Sequence, residues 1–147
     1  MTSRYSEEEA VQKPTGELLR RMGWDVHYCF DDEVLGPCGT LGRDSYKDVL
    51  LKRDFMNALV ELNEHLTEAE CAEAVATLEQ VFVGDSLLQT NEAKYKMLRD
   101  GIPVKKFQPD GSMRTELARA FDFEHPKLNR FAVSYTHLRA HEMLMNL

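Results

Sequence analysis

The chain has 147 residues, of which 43% are hydrophobic, enough for one domain with a single core. Its 18 basic and 25 acidic side chains give a formal net charge of −7, which would repel a polyphosphate. If the protein handled a nucleic acid, its basic groove would be expected mostly elsewhere. No apolar run approaches the ~20 residues that span a bilayer, and MTSRYSEEEA lacks a hydrophobic signal region, so a cytoplasmic location is expected.

The three cysteines, Cys29, Cys38 and Cys71, are odd in number and form no CxxC pair. This pattern predicts reduced thiols and indicates neither a disulfide framework nor a zinc ribbon. His27 and Cys29 could supply half of a metal site, but a second half with ligand spacing is missing. Core or loop positions are the better interpretation of both residues.

The first predicted elements are two helical segments. Ser6 and Glu9 have the form of a capping box that opens a helix. Pro14 then predicts a kink or a restart, because proline inside a helix costs ~3 kcal/mol. The restarted segment TGELLRRMG ends at Gly23, a typical C-terminal stop.

A strand and a glycine-containing loop follow. WDVHYCF alternates between apolar and other residues, which predicts a strand with one buried face formed by Trp24, Val26, Tyr28 and Phe30. The loop GPCGTLGR spaces Gly36, Gly39 and Gly42 three apart. It matches neither GxxxxGK[ST] nor GxGxxG, so a flexible connection is favoured over phosphate binding, and no ATP site is predicted.

Three helices are predicted next. Apolar residues recur at helical spacing from Tyr46 onward, at Leu51, Phe55, Leu59, Leu62 and Leu66. Thr67 and Glu70 form a capping box for a second helix, which is expected to end at Gly84. NEAKYKMLRD predicts a third helix that stops at Gly101. These apolar stripes indicate a core, since no polar groups converge on them as a cofactor groove would require.

The pattern then changes to a β-hairpin. Pro109, Asp110 and Gly111 form a turn between two extended runs. After the turn, one apolar face is predicted, with Arg119 as its one polar member: Met113, Thr115, Leu117, Phe121 and Phe123. A turn around Pro126 and Asn129 leads into a further strand that begins RFAV.

Four segments in this order resemble the N-terminal region of the R subunit of type I restriction endonucleases. They are YSEEEAVQKPTGELLRRMGWDVHY, GTLGRDSYKDVLLKRDFMNALVELNEHLT, LLQTNEAKYKMLRDGIPV and FDFEHPKLNRFAV, and together they cover roughly residues 5–133. The resemblance implies an incomplete restriction-endonuclease-like nuclease domain of the PD-(D/E)xK kind in residues 1–133. Its mixed α/β fold would pack helices on a mixed sheet, with a β-hairpin near residues 102–123.

The family's function follows as an expectation. The parent would be a hydrolase of a restriction-modification system, an endonuclease that binds DNA and ATP, translocates foreign DNA and cleaves it. Its partners would be methyltransferase and specificity subunits as well as DNA. A helicase motor of superfamily 2 would follow the nuclease domain, and Mg²⁺ and ATP are implied for the parent but not for this fragment.

No catalytic, cofactor-binding or metal-binding residue is predicted within the chain. In the family, the metal-binding aspartate and the ExK pair lie in a later stretch resembling RRxD...NGxPLxxxELK, which this sequence lacks. Asp122 precedes that aspartate by a whole strand, so a turn role is favoured over a metal-binding one. Gln12 holds the place of a family glutamate on the first helix. Glu7, Glu8 and Glu9 are expected to form a solvated helix start.

The last residues, 134–147, do not fit the family pattern. SYTHLRAHEMLMNL is predicted to be a non-native tail that begins at about Ser134. The spacing of His137 and His141 would then result from the fusion of unrelated sequences and have no function. Two other functions stay open. One is a standalone interaction module without catalysis that docks through the helices between Tyr46 and Asp100. The other is a small zinc enzyme built on HLRAHE, although an i, i+4 histidine pair supplies only two ligands.

Overall fold

The computed structural model describes residues 8–29, 33–80 and 86–136. A π-helical turn, Glu8–Gln12, precedes α1 (Lys13–Arg21) and β1 (Asp25–Cys29). Three helices follow: α2 (Lys52–Leu62), α3 (Glu68–Glu79) and α4 (Leu87–Asp100). The chain continues with β2 (Ile102–Phe107), β3 (Met113–Ala118), a 3₁₀ turn (Pro126–Leu128) and β4 (Ala132–Thr136). The predicted mixed α/β class is confirmed.

The described strands form two separate two-stranded sheets rather than the one mixed sheet expected from the sequence. β1 and β4 pair in parallel, with Asp25 beside Ala132 and Cys29 beside Thr136. β2 and β3 pair antiparallel as the predicted hairpin, with Ile102 opposite Ala118 and Phe107 opposite Met113.

The boundaries of α1 agree with the predicted restart at Pro14. This proline lies in the first turn of the helix, where its missing N–H removes no helical hydrogen bond. At the other end, Gly23 has a φ of 88°, which a residue with a Cβ rarely adopts. Ser6, the predicted cap, lies outside the described residues.

The three central helices differ from the predictions mainly at their ends. α2 begins at Lys52 rather than Tyr46, and Leu66 lies in the following loop although its side chain is buried. The capping box of α3 is confirmed, because Thr67 accepts from the Glu70 N–H and Glu70 accepts from the Thr67 N–H. α3 ends at Glu79, and the predicted stop, Gly84, lies outside the described residues. α4 starts after a second capping box, Ser86 with Gln89, and ends at Gly101 as predicted.

The main core lies between α2, α3 and the β2–β3 hairpin. α3 packs on both α2 and β2. Full burial of one leucine or isoleucine side chain stabilises a folded domain by ~1.5–3 kcal/mol. The buried residues of this core are Leu59, Leu66, Cys71, Ala74, Val75, Leu78, Ile102, Val104, Ala118 and Ala120.

Met113, Thr115 and Leu117 lie on one face of β3, as predicted, but this apolar face is exposed and does not pack on the core. Met113, Leu117 and Phe123 are exposed, whereas Ala118, Ala120 and Asp122 are buried. Ile102 and Val104 face α3, and Ala118 lies directly opposite Ile102. Because opposite residues share a face of the sheet, the Ala118 side chain also points toward α3. Small alanines allow close packing there, and the bulky side chains of β3 are left outside.

The single buried face predicted for β1 is wrong. Val26, His27 and Tyr28 are all partly buried, and Cys29 is the most buried residue of the strand. α1 covers Val26 and Tyr28, since a Cβ at Gly16 would collide with the Tyr28 hydroxyl and contact Val26. Cys29 lies near Glu33 and Arg43 of the following loop, so the opposite face is covered as well. Phe30 lies outside the described residues.

β4 continues past the boundary predicted for the tail. Ser134, Tyr135 and Thr136 pair with His27, Tyr28 and Cys29, and the rings of Tyr28 and Tyr135 stack at 5.3 Å. These three residues therefore extend the strand that begins at Ala132. A non-native origin of residues 134–147 stays a prediction.

Candidate functional site

His27 and Cys29, the pair considered for a metal site, lie on β1 in different surroundings. His27 lines a surface cleft, whereas Cys29 is buried, and this burial raises the pKa of its thiol. A protonated thiol is a poor metal ligand. Across residues 8–29, 33–80 and 86–136, no three histidine, cysteine or carboxylate side chains converge as a metal site requires. His137, His141 and Glu142 lie outside these ranges.

The glycine loop is held by an arginine rather than arranged around an anion. The Arg53 guanidinium donates to the carbonyl oxygens of Gly39 at 2.9 Å and Thr40 at 3.2 Å. The N–H groups of Gly36 and Gly39 are used inside the loop, on Arg43 O and Gly36 O. A phosphate cradle needs free N–H groups that point at the ligand. The geometry therefore favours the structural connection over phosphate binding.

A partly buried ion pair, for which the sequence gives no signal, closes the same loop. Arg43 donates to both carboxylate oxygens of Glu33, each at 2.6 Å, and its guanidinium also lies over the Tyr46 ring. These hydrogen bonds lower the pKa of Glu33 and raise that of Arg43. The two residues are ten apart in a loop, where no periodic pattern signals a contact. Their bidentate geometry fixes the loop next to the carboxyl end of β1.

The structure places Asp122 in the turn between β3 and the 3₁₀ helix. Its Oδ1 accepts from the N–H groups of His125 at 2.8 Å and Glu124 at 3.0 Å. The hydrogen bond from the His125 N–H is the main reason that the pKa of Asp122 is lowered. Asn129 closes the turn by accepting from the Asp122 N–H and donating to the Asp122 carbonyl. The carboxylate is therefore engaged in backbone bonds of the turn, as a turn residue should be.

The position of the family glutamate is occupied by Gln12, at the end of the π-helical turn. Its side-chain oxygen is buried and accepts no hydrogen bond from the residues that the structure describes. Glu7 lies outside the described residues, as do the side chains of Glu8 and Glu9.

A cleft of about 430 Å³ lies between α2 and the amino ends of β1 and β4. Its charged rim is formed by Arg130, which lies 3.9 Å from Asp25 and 3.5 Å from Glu61. In open α/β sheets, ligands bind beyond the carboxyl ends of the parallel strands, at the opposite end from this cleft. Its charged side chains also pair with one another, Arg53 with Asp54 and Arg130 with Asp25 and Glu61, and the imidazole of His27 is a further side chain of the lining.

Comparison with known proteins identifies the region to which the chain corresponds. The family model for "Type I restriction enzyme R protein N terminus" matches residues 4–135. The type I restriction enzyme HindI endonuclease subunit of Haemophilus influenzae is 31% identical over 134 residues. A putative type I restriction enzyme MjaIXP endonuclease subunit of Methanocaldococcus jannaschii is 29% identical over 132 residues.

Each alignment covers 90% of this chain but only 12% of the relative. No solved structure matches the chain significantly. Among the described residues, no helix is both long and apolar enough to cross a membrane. The order of the four sequence segments, the mixed α/β architecture and the match over residues 4–135 lead to one conclusion: the chain belongs to the type I restriction enzyme R protein family and corresponds to its N-terminal region.

Proposed function

We propose that this chain is the N-terminal part of the endonuclease subunit of a type I restriction-modification system. The complete subunit would hydrolyse phosphodiester bonds of foreign DNA in an ATP-dependent manner. The observation that carries the proposal is the family match over residues 4–135, together with two relatives named as endonuclease subunits. The chain spans about 12% of the length of these relatives, so the helicase and most of the nuclease would lie in other parts of the subunit.

The described residues would have a structural role in this subunit, and the fragment alone would be inactive. Four of its carboxylates are engaged in structural contacts: Asp122 in a turn, Glu33 with Arg43, and Asp25 and Glu61 with Arg130. When bound, Mg²⁺ would supply charge stabilisation at the scissile phosphate and help to generate the attacking hydroxide. The residues that hold it are expected in the later Asp...ExK stretch of the family.

The partners would be DNA and the methyltransferase and specificity subunits, in the cytoplasm. A net charge of −7 favours contacts between this region and protein rather than DNA. The DNA groove would then be formed by later parts of the subunit.

The test is to recover the complete reading frame from the source DNA and to express it with its partner subunits. We expect Mg²⁺- and ATP-dependent cleavage of unmethylated DNA, and loss of cleavage when the aspartate of the downstream Asp...ExK stretch is changed to alanine. The expressed 147-residue chain should cleave nothing under the same conditions. A complete product without cleavage activity, or an active 147-residue chain, would contradict the proposal and favour a standalone interaction module or a separate enzyme.

A further inference from the structure

The β2–β3 hairpin has two faces that differ sharply in burial. Its inner face packs on α3 through Ile102, Val104 and Ala118, which are almost fully buried. The free edge of β2 makes one further contact with α3, since the Lys105 N–H donates to the Glu73 carboxylate at 3.4 Å. The hairpin is thus fixed in place by contacts that do not use its other side.

The other side is named here the outer face. Because side chains alternate along each strand, the antiparallel register assigns it six residues. They are Pro103, Lys105, Phe107, Met113, Thr115 and Leu117. Phe107 is 73% exposed, Met113 57% and Leu117 55%. Four of the six are apolar, and they form two cross-strand pairs, Pro103 with Leu117 and Phe107 with Met113.

A solvated face of a two-stranded sheet is normally polar, with apolar residues on the core side only. The outer face departs from this pattern, although the hairpin needs none of its apolar side chains for packing on α3. Two exposed apolar cross-strand pairs on a fixed element indicate a contact surface for another polypeptide. Its position on a rigid hairpin also reduces the entropy lost on docking.

The charge of the outer face indicates what kind of segment covers it. Lys105 lies between the two apolar pairs, and within the described part of the chain no carboxylate pairs with its ammonium group. A complementary surface would be apolar with one carboxylate opposite Lys105. A nucleic acid fits poorly, because Lys105 is the single cation among the six residues and the chain carries a net charge of −7.

We propose that the outer face is an internal interface of the complete subunit, covered by an apolar segment with one acidic residue from a later part of the same polypeptide. The proposal rests on the proposed function. The relatives support it, because the matched region makes up only 12% of their length and the rest of the subunit is available to cover this face. A second copy of the chain and a nucleic acid are the competing occupants.

Met113 provides a direct probe of this interface, because an exposed thioether is oxidised to the sulfoxide by hydrogen peroxide. The 147-residue chain and the complete subunit are treated with peroxide, and sulfoxide formation at Met113 is followed by mass spectrometry. In the 147-residue chain, Met113 should react at a rate similar to that of Met22, which directly follows α1, is 65% exposed and controls for the reagent dose. In the complete subunit, we expect Met113 to react at least tenfold more slowly.

Two variants of the complete subunit test whether the protection of Met113 depends on the outer face. Phe107→Asp places a charge on the outer face and should restore at least half of the Met113 oxidation rate. Phe123→Asp is the matched control, since Phe123 is 67% exposed but lies beyond β3, and it should leave Met113 protected.

Three results would overturn the inference. Equal oxidation of Met113 in both proteins would show that nothing in the complete subunit covers the outer face. Protection of Met113 in the complete subunit that rises with the subunit concentration would assign the face to a second copy. Protection of the complete subunit that appears only with added DNA would assign it to nucleic acid. If the reading frame does not extend beyond this chain, both the inference and the proposed function fail, whereas an active subunit with an exposed Met113 contradicts the inference alone.

Discussion

Individual polar side chains hold the turns of this domain together, and Asn63 shows this most clearly. It is 1% exposed at the end of α2. Its side chain accepts from the Arg119 N–H at 2.7 Å and donates to the Arg119 carbonyl at 2.9 Å. One residue thus joins α2 to the chain that leaves β3, across 56 positions of sequence.

Replacing Asn63 with alanine should destabilise the domain by roughly 2–4 kcal/mol, because two backbone groups of Arg119 lose their partner. Urea unfolding followed by circular dichroism would measure the loss. Asn57→Ala on the exposed side of α2 is the control, with an expected change below about 0.5 kcal/mol. Equal effects of the two substitutions would disprove the bridging role of Asn63.

Asp122 should make the stability of the domain depend on pH. Its pKa is lowered in the folded chain by the hydrogen bond from the His125 N–H. A carboxylate whose pKa is lower in the folded chain than in the unfolded chain stabilises the fold. This stabilisation is complete above the unfolded pKa of about 3.9 and is lost as the pH falls through the folded pKa. The stability difference between wild type and Asp122→Asn should therefore be constant near pH 7 and shrink below about pH 4. A difference that grows on acidification would contradict this assignment.

At the scale of elements, two arginines, Arg43 and Arg53, hold the loop between β1 and α2 in place. Arg53 binds three of its carbonyl oxygens, those of Pro37, Gly39 and Thr40. Gly42, with a φ of 63°, lies against the same guanidinium, so a side chain there would displace it.

Arg53→Lys should loosen this loop while α2 stays folded, because an ammonium group cannot reproduce the planar set of donors. The Thr40 amide, which donates to the Val34 carbonyl, should then exchange with deuterium at least tenfold faster. Arg99→Lys is the matched control, since the partners of Arg99 among the described residues are its neighbours Asp100 and Tyr95 on α4, far in sequence from the loop. Unchanged exchange at Thr40 in Arg53→Lys would show that the loop is held by other contacts.

The sequence predicts the elements of this fold better than the orientation of their faces. The capping box at Thr67 and Glu70, the glycine stops at Gly23 and Gly101, and the hairpin turn at Pro109–Gly111 depend on local chemistry, and the structure confirms them. The inward face of β3 depends on which side of the hairpin α3 covers. Counting apolar side chains selects the wrong side, because the buried positions hold alanines and the larger apolar residues lie outside.

In the candidate site, too, the sequence predicts some features, whereas others are seen only in the structure. The absence of the Asp...ExK stretch can be read from the sequence, but the Glu33–Arg43 pair and the Asn63 bridge cannot, since they join residues with no fixed spacing. The same is true of the parallel pairing of β1 with β4, which joins strands separated by more than 100 positions.

At the scale of the whole molecule, many large apolar side chains lie on the surface. They occur on α1, on α4 and on the hairpin, and include Met22, Leu87, Leu88, Phe107 and Leu117. The described sheets have only two strands each, which is the minimum for pairing and leaves edges uncovered.

The isolated 147-residue chain should therefore be marginally stable or self-associate. Sedimentation velocity over a range of concentrations should show larger species as concentration rises, and a hydrophobic dye should bind to the native protein. A monomer with a sharp, reversible thermal transition and no dye binding would contradict this expectation.

The central claim, that this chain is the N-terminal part of a type I restriction endonuclease subunit, is tested most directly by sequencing. Long reads from the source DNA should cover the codons from Asn129 through the next thousand or so bases. We predict a frame that leaves the present sequence near Ser134 and continues into a metal-binding aspartate and an ExK pair. A frame that encodes SYTHLRAHEMLMNL and then stops would contradict the claim and leave an interaction module as the better description.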